Sequence, residues 1–393
     1  MTVEQIYTLM NTVTEEILGE SNVVAEDLSN VVDVGTQVFD ATDVDGYVKS
    51  LVNHIGKVIF VSRPYAGGVP SLLMSSWEFG SCLEKIQSDL PLSSETEDWQ
   101  LENGTSYDQQ VFYQPSVSAK FFNKKVTFEI DMSFTELQVK QSFSSAEQLN
   151  GFLSMLYNSV DKAMTVRIDG LIMRTINYMI AKTVQDDYAD MSALGASSGV
   201  KAINLLKLYN DKFIAVGDTP LAAANALTTP EFIRFAAYTM ALTANRMSRM
   251  TTLFNIDGKE RFTPKDMLKI VLLNDFAQAA DVYLQSDTFH NEFTKLPTAD
   301  LVPYWQGSGT GYAFADVSKV YVKTDANGSA VTIPGVLGIM FDRDAMAVCN
   351  VDRRVNTSFN AKASFFNNFY KFDCQTFVDP AEQACVFFIA DAA

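Results

Sequence analysis

Only two histidines, His54 and His290, stand in the 393 residues, and histidine-based acid–base or nucleophilic chemistry near neutral pH would have to use one of them. They lie far apart in sequence and are not part of a His-Glu-x-x-His pair, so a zinc hydrolase is not expected, nor a Ser-His-Asp triad. Four cysteines (Cys82, Cys349, Cys374, Cys385) are scattered without a Cys-x-x-Cys pair. That is too few for a disulfide scaffold and the wrong spacing for zinc, so they are expected as buried or partly buried thiols. Gly307-Ser-Gly-Thr-Gly311 lacks the Gly-Lys-Ser/Thr ending of a phosphate loop and reads as a turn. Asp43-Val-Asp45-Gly46 opens like a calcium loop, but the first and twelfth ligand positions would be Ala41 and Val52, which offer no carboxylate. Phe365, Phe366, Phe369, Tyr370 and Phe372 could stack on bases, yet only Lys362 and Lys371 accompany them, so core or interface packing is expected. No catalytic residue, metal ligand or cofactor site is therefore assigned, and the function is expected to lie in shape and contacts.

Composition narrows the class further. Thirty basic and 47 acidic residues leave a formal charge of −17, a field that repels nucleic-acid phosphates and anionic lipid. With 47% apolar residues and 28 Phe, the chain can bury a large core, and at roughly 150 residues per domain its length suggests two or three domains or lobes. No apolar run approaches the ~20 residues of a bilayer span, and the first residues, MTVEQIYTLMNTVTEEIL, lack the basic and apolar regions of a secretory signal. No membrane association is expected, and synthesis in a cytoplasm is.

Charge and periodicity then divide the chain. Residues 1–50 hold ten acids against one base, a net −9, around a helical pattern of Ile6, Leu9, Met10, Val13 and Ile17. So charged a segment reads either as an arm held by scattered apolar anchors or as a solvated leader helix on its own domain. Residues 66–116 are the least regular. In Val126–Phe134 the apolar residues Val126, Phe128, Ile130, Met132 and Phe134 alternate without exception with polar ones, the pattern of a strand with one wet face. Asn123-Lys124-Lys125 separates it from Phe121 and Phe122, so Val117–Phe134 is expected to form a hairpin or long ribbon.

Ser144-Ser-Ala-Glu147 is a capping box, and beyond it Leu149, Leu153, Leu156, Val160, Met164, Ile168 and Leu171 recur every three or four residues. The spacing predicts one helix from about Ser145 to about Lys182, close to 60 Å long at 1.5 Å per residue. A second helix is expected from Thr228-Thr-Pro-Glu231, capped by the threonine, with Ile233, Ala236, Met240, Ala244, Met247 and Met250 toward a core. Strands are expected at Leu268–Leu273, Ala279–Leu284, Gly335–Phe341, Ala345–Asn350 and Ala384–Ala390. Residues 230–274 carry seven bases against four acids and form a locally positive region.

This order of acidic arm, irregular ribbon, long capped helix, mixed α/β region and closing strands resembles the major capsid proteins of tailed bacteriophages, the HK-ninety-seven-type coat fold. The stretches Gly338–Val348, Asn367–Tyr370 and Phe377-Val-Asp-Pro380 leading into Ala384–Ala390 are also similar to how such coat proteins end. The resemblance implies an α+β class with an N-terminal arm (1–65), an extended loop and β-ribbon (66–143), a spine helix of a peripheral domain (144–190), an axial domain (191–335) and closing strands shared by the two (336–393). It implies a structural shell subunit, not an enzyme, that associates with itself as hexamers and pentamers around double-stranded DNA held without sequence-specific contacts. Portal, scaffolding or cement proteins are its further expected partners, and the virion its location. A non-viral nanocompartment subunit of the same fold, and an enzyme of unknown type, are the alternatives.

The expected assembly contacts are Ile6, Glu15, Glu16, Val23, Val24 and Val38 of the arm, with Phe121, Phe122, Lys124, Lys125, Phe128 and Ile130 of the ribbon. The apolar arm residues would anchor and the acids would meet basic residues of a neighbour. Exposed pairs are worth only about 0.2–1 kcal/mol each, so the apolar anchors are expected to dominate.

Overall fold

A computed structural model describes residues 3–18, 72–74, 83–88, 116–135, 146–285, 299–306, 313–325 and 328–391, with isolated positions between these stretches. Its helices are α1 (Val3–Leu18), α2 (Ala146–Asp187), α3 (Leu205–Phe213), α4 (Ala223–Ala226), α5 (Pro230–Met247), α6 (Asn274–Gln285) and α7 (Phe314–Val317). The strands in the first half are β1 (Leu73–Met74), β2 (Leu83–Ser88), β3 (Val117–Phe122) and β4 (Lys125–Thr135). Those that follow are β5 (Ala202–Asn204), β6 (Leu268–Leu273), β7 (Asp300–Val302), β8 (Val320–Val322), β9 (Val331–Ile333), β10 (Val336–Asp342), β11 (Met346–Asn360), β12 (Phe365–Val378) and β13 (Ala384–Phe388). The chain divides into two compact units.

The first unit comprises Met1–Glu78, Lys125–Ile172 and Val348–Gln375. Its sheet has the order β1-β11-β12-β4. β4 pairs antiparallel with β12 over eleven residues, from Phe365 opposite Thr135 to Gln375 opposite Lys125. The alternation in β4 finds its match there: Phe128 lies against Phe372 with ring centroids 5.3 Å apart, and Phe134 against Phe366 at 5.7 Å. On the wet face Lys371 pairs with Glu129 at 2.8 Å, and the Thr127 hydroxyl donates to Asp373. Cross-strand pairs of this kind, repeated along a strand, pin its register. The expected pairing of Val117–Phe122 with Val126–Phe134 is thereby corrected. β4 takes β12 as its partner, because β12 repeats the same period of two, with Phe366, Tyr370, Phe372 and Cys374 buried.

The continuous helix expected from about Ser145 is α2, 42 residues long and ending at Asp187, five residues later than predicted. Val160, Met164 and Ile168 are buried as expected, and Leu171, Ile172, Ile176, Met179, Ile180 and Val184 continue the stripe. The side chains of Leu153 and Leu156, and the capping residue Ser144, lie outside the described residues. At the C-terminus, Asp186 and Asp187 oppose the negative end of the helix dipole. Lys201 offsets them, 2.5 Å from Asp186 and 3.1 Å from Asp187, and the Asp187 carboxylate also accepts the backbone N–H groups of Lys201 and Ala202.

The second unit comprises Phe79–Lys124, Met173–Ala347 and Thr376–Ala393. Its five-stranded sheet runs β5-β13-β10-β6-β7, with β10 antiparallel to both β13 and β6. Every residue of β10 is buried, so no alternation could mark it in the sequence. Helices α3, α5 and α6 cover the sheet around Tyr209, Phe232, Met240, Phe276 and Phe387.

Three expectations fail in this unit. Ala279–Leu284, expected as a strand, belongs to α6, where Phe276, Ala277 and Ala280 are buried at helical spacing and the alanines favour the helix. Met250 does not face the core but is 48% exposed, because α5 stops at Met247. Thr229 is the N-cap residue of α5, yet its hydroxyl donates to the Asn225 carbonyl instead of capping. Ala345–Asn350 is the start of the much longer β11.

Candidate assembly surface

The two strands β2 and β3 pair antiparallel from Leu83 opposite Phe122 to Ser88 opposite Val117. The pleat sends Lys85, Gln87 and Lys120 to one face and Ile86, Val117, Ala119 and Phe121 to the other. The charged face is the inner one. Lys85 donates to Asp379 at 2.9 Å, to Glu382 at 2.6 Å and to the Asp344 carbonyl at 3.3 Å. Lys120 donates to the other Asp379 oxygen at 2.9 Å and to Asp257 at 2.7 Å. Gln87 is buried between them, giving its amide hydrogens to Asp379 and Glu382 and accepting from Arg261 at 2.9 Å. Three cations therefore meet three carboxylates, and the cluster is neutral.

Asp379 is the hub. It follows β12, where its N–H is held by the Ala345 carbonyl at 2.7 Å, and its carboxylate also accepts from the Ala381 N–H. The loop is fixed below by Gln383, which receives the Thr263 hydroxyl and donates to the Arg261 carbonyl. Burial works against the ionised form of Asp379, but hydrogen bonds from Lys120 and Lys85 together outweigh it and hold the carboxyl below its ordinary range. Burial likewise opposes the charge on Lys120, and Asp257 and Asp379 overcome it and raise its affinity for a proton.

The outer face is open and mainly apolar, with Glu84 opposite Phe121 and Ser88 opposite Val117 as its polar members. Ile86 is 67% exposed, Val117 59% and Phe121 64%. A ribbon folding for its own subunit alone would bury this face and wet the lysines, so the arrangement is inside out relative to a solvated hairpin.

Beside the ribbon lies a groove of about 650 Å³. Phe122 and Phe377, 5.4 Å apart, and Tyr178 form its aromatic part, and Lys124, Arg174 and Lys323 line it as well. Lys124 stands 5.7 Å over the Tyr178 ring.

The expected assembly residues are thus distributed. Phe121 is on the open face of the ribbon, while Phe122 and Lys124 enter the groove. Lys125, Phe128 and Ile130 belong to β4, with Phe128 and Ile130 half-buried against β12. In the arm, Glu15 is exposed on α1, and Val24 is buried, its N–H donating to the Asn11 side chain at 2.9 Å. The side chains of Ile6 and Glu16, and Val23 and Val38 altogether, lie outside the described residues, as do His54, His290, Cys82, residues 43–46 and most of the glycine run at 307–311.

Sequence reasoning missed Lys85, Gln87, Lys120, Asp379 and Glu382. The segment Leu83-Glu-Lys-Ile-Gln-Ser88 has no alternation to mark it as a strand, and the partners of Lys85 lie about 290 residues downstream. It also passed over Gly195-Ala-Ser197-Ser-Gly199, which has the Gly-x-Ser-x-Gly spacing of a nucleophile elbow. An elbow needs a strand, then the serine, then a helix. Here the segment follows a short turn at Met191–Ala193, the Ser197 carbonyl accepts from Tyr188, and Ser198 accepts the Asn204 N–H, so these groups hold structure together. Among the described residues no group of three or more His, Cys, Asp or Glu side chains could hold a metal, and no helix is long and apolar enough to cross a membrane.

Compared by sequence, no curated protein matches the chain. Its fold is similar to the capsid structure of Staphylococcus phage Andhra, at 9% identity and a TM-score of 0.49 over 84% of this chain and 86% of that one. It is also similar to a Microbacterium phage Oxtober96 structure (10% identity, TM-score 0.44, 84% and 93% covered) and to the capsid structure of Cyanophage P-SCSP1u (11%, 0.41, 81% and 87%). A family model described as Phi29-like phage major capsid protein matches residues 10–388. Because that match takes in the ribbon, the long helix and both compact units, the chain belongs to the Phi29-like phage major capsid protein family: it is a structural coat protein of a phage head, and not an enzyme.

Proposed function

We propose that this coat protein associates as hexamers and pentamers into a closed shell of the HK-ninety-seven type around double-stranded DNA, with the outer face of the β2–β3 ribbon as a principal contact between copies. The inside-out ribbon carries this reading: Ile86, Val117 and Phe121 are open while the charged face of the same strands is spent on the subunit itself. Covering such apolar surface contributes about 25 cal/mol per Å². In this reading the first unit, with the four-stranded sheet, is the peripheral domain and the second, with the five-stranded sheet, the axial domain. The net charge of −17 suits a wall that encloses DNA without gripping it. Synthesis in the host cytoplasm, and help from portal, scaffolding or cement proteins, belong to the same reading.

The test is the size of the purified protein, by light scattering and electron microscopy, beside the double variant Ile86→Asp/Phe121→Asp. The expected result is shells or capsomers for the natural sequence and a folded, unassembled subunit for the variant. A variant that assembles as well as the parent would remove the ribbon from the contact. A parent that stays monomeric at high concentration would remove shell formation by this chain alone.

A further inference from the structure

We infer that the groove beside the ribbon is the receptor for the acidic segment 26–46 of a neighbouring copy of this chain, an inference that rests on the shell reading above. The groove combines two properties. Phe122, Phe377 and Tyr178 give it an aromatic surface, with Phe122 and Tyr178 each half-buried and able to cover more. Lys124, Arg174 and Lys323 are exposed cations lining it. One acid, Asp325, lies on the same wall, and Lys182 already meets it at 3.2 Å. The groove is thus a cationic and aromatic place on a chain whose charge is −17.

An occupant must supply negative charge and apolar side chains in close alternation. Residues 26–46 hold six acids (Glu26, Asp27, Asp33, Asp40, Asp43, Asp45) and no base, interleaved with Leu28, Val31, Val32, Val34, Val38, Phe39 and Val44. Copies of a strongly acidic chain repel each other in general, so contacts between them are steered to sites where one copy offers positive charge. The aromatic rings supply the apolar contact area, and the cations at the rim set which segment is accepted. A nucleic-acid strand is the less suitable occupant, because the long-range field of the chain repels phosphates.

The experiment places the photocrosslinker benzoylphenylalanine at Tyr178 in the full chain, assembles a mixture of light and heavy-isotope copies, irradiates, and maps the linked peptides by mass spectrometry. The expected product joins the Tyr178 peptide to one from residues 26–46, with mixed isotope pairs showing that the two come from different copies. Adding Arg174→Glu and Lys323→Glu, both at exposed positions, is expected to lower the yield roughly tenfold, and high salt to lower it as well. Shells that form but crosslink at Tyr178 only to another segment, to nucleic acid, within one copy, or not at all overturn the groove assignment and leave the shell reading standing. A chain that forms no shells under any condition overturns both.

Discussion

Lys85 and Asp379, 294 positions apart in the chain, form a 2.9 Å ion pair in which the carboxylate is fully buried and the lysine is 20% exposed. The pair joins the ribbon to the loop that precedes the last strand, within one compact unit. Removing two charges from water is costly, and the cost is offset here because each Asp379 oxygen accepts from a lysine and from a further donor, Gln87 or Ala381. The ribbon is therefore fastened by its polar face, which leaves the apolar face for other work.

Asp379→Asn keeps the shape of the hub and removes its charge. Lys85 then keeps Glu382 and the Asp344 carbonyl and Lys120 keeps Asp257, but the buried amide cannot accept from both lysines. Breaking a buried pair costs about 3–5 kcal/mol, and the partial exposure of the lysines places this case near 3. Chemical denaturation should show that loss, and limited proteolysis should show faster cleavage between residues 83 and 122. Equal stability and equal cleavage would mean that the cluster does not hold the ribbon.

Acidity should act on the same hub. The lowered carboxyl of Asp379 contributes stability that is complete above the range of a free aspartate and is lost as pH falls through the folded value. Lys120, raised, contributes stability that is complete below the range of a free lysine and is lost as pH rises through its folded value. Hydrogen-exchange protection of β2 and β3 is expected to be flat from about pH 5 to 9 and to fall below about pH 4. Protection that rises on acidification would contradict the sign.

Two glycines should respond in opposite ways. Gly335 has φ of 67°, and a Cβ there would lie 2.0 Å from the Ile389 carbonyl oxygen, whose own residue donates its N–H to Gly335. Gly335→Ala should cost at least about 3 kcal/mol, since strain and backbone collision add. Gly170, exposed within α2 with nothing near its Cβ position, should gain about 0.5–1 kcal/mol as alanine. Thermal unfolding of the two variants checks both signs.

Tyr370 is fully buried in β12, and its hydroxyl meets no hydrogen-bond partner among the described residues. Burial pushes its phenol up to about 12. Tyr370→Phe removes an unsatisfied polar group while keeping the ring, so a gain of about 1 kcal/mol is expected in denaturant unfolding. A loss of that size would reveal a partner for the hydroxyl.

Much of the local structure was determined by the order of residues alone. The period of two in Val126–Phe134 made β4 legible, and the three-and-four spacing through Val160, Met164 and Ile168 made α2 legible, because a strand or an amphipathic helix writes its buried face into the sequence. Local signals stop at the partner. Whether β4 would pair with β3 or with a strand more than 200 residues away depended on which apolar face fitted it, and only the packed sheet settled that in favour of β12. The all-buried β10 shows no alternation, yet its short apolar run marked the strand at Gly335–Phe341 to within one residue; Ala279–Leu284 read as a strand, and only its packing as part of the helix α6 decided otherwise. The fastening of the ribbon was least legible of all: Lys85, Lys120 and Asp379 look like ordinary surface charges until the chain brings them within 3 Å, and an ion pair at that sequence separation leaves no periodic trace in the residues that make it.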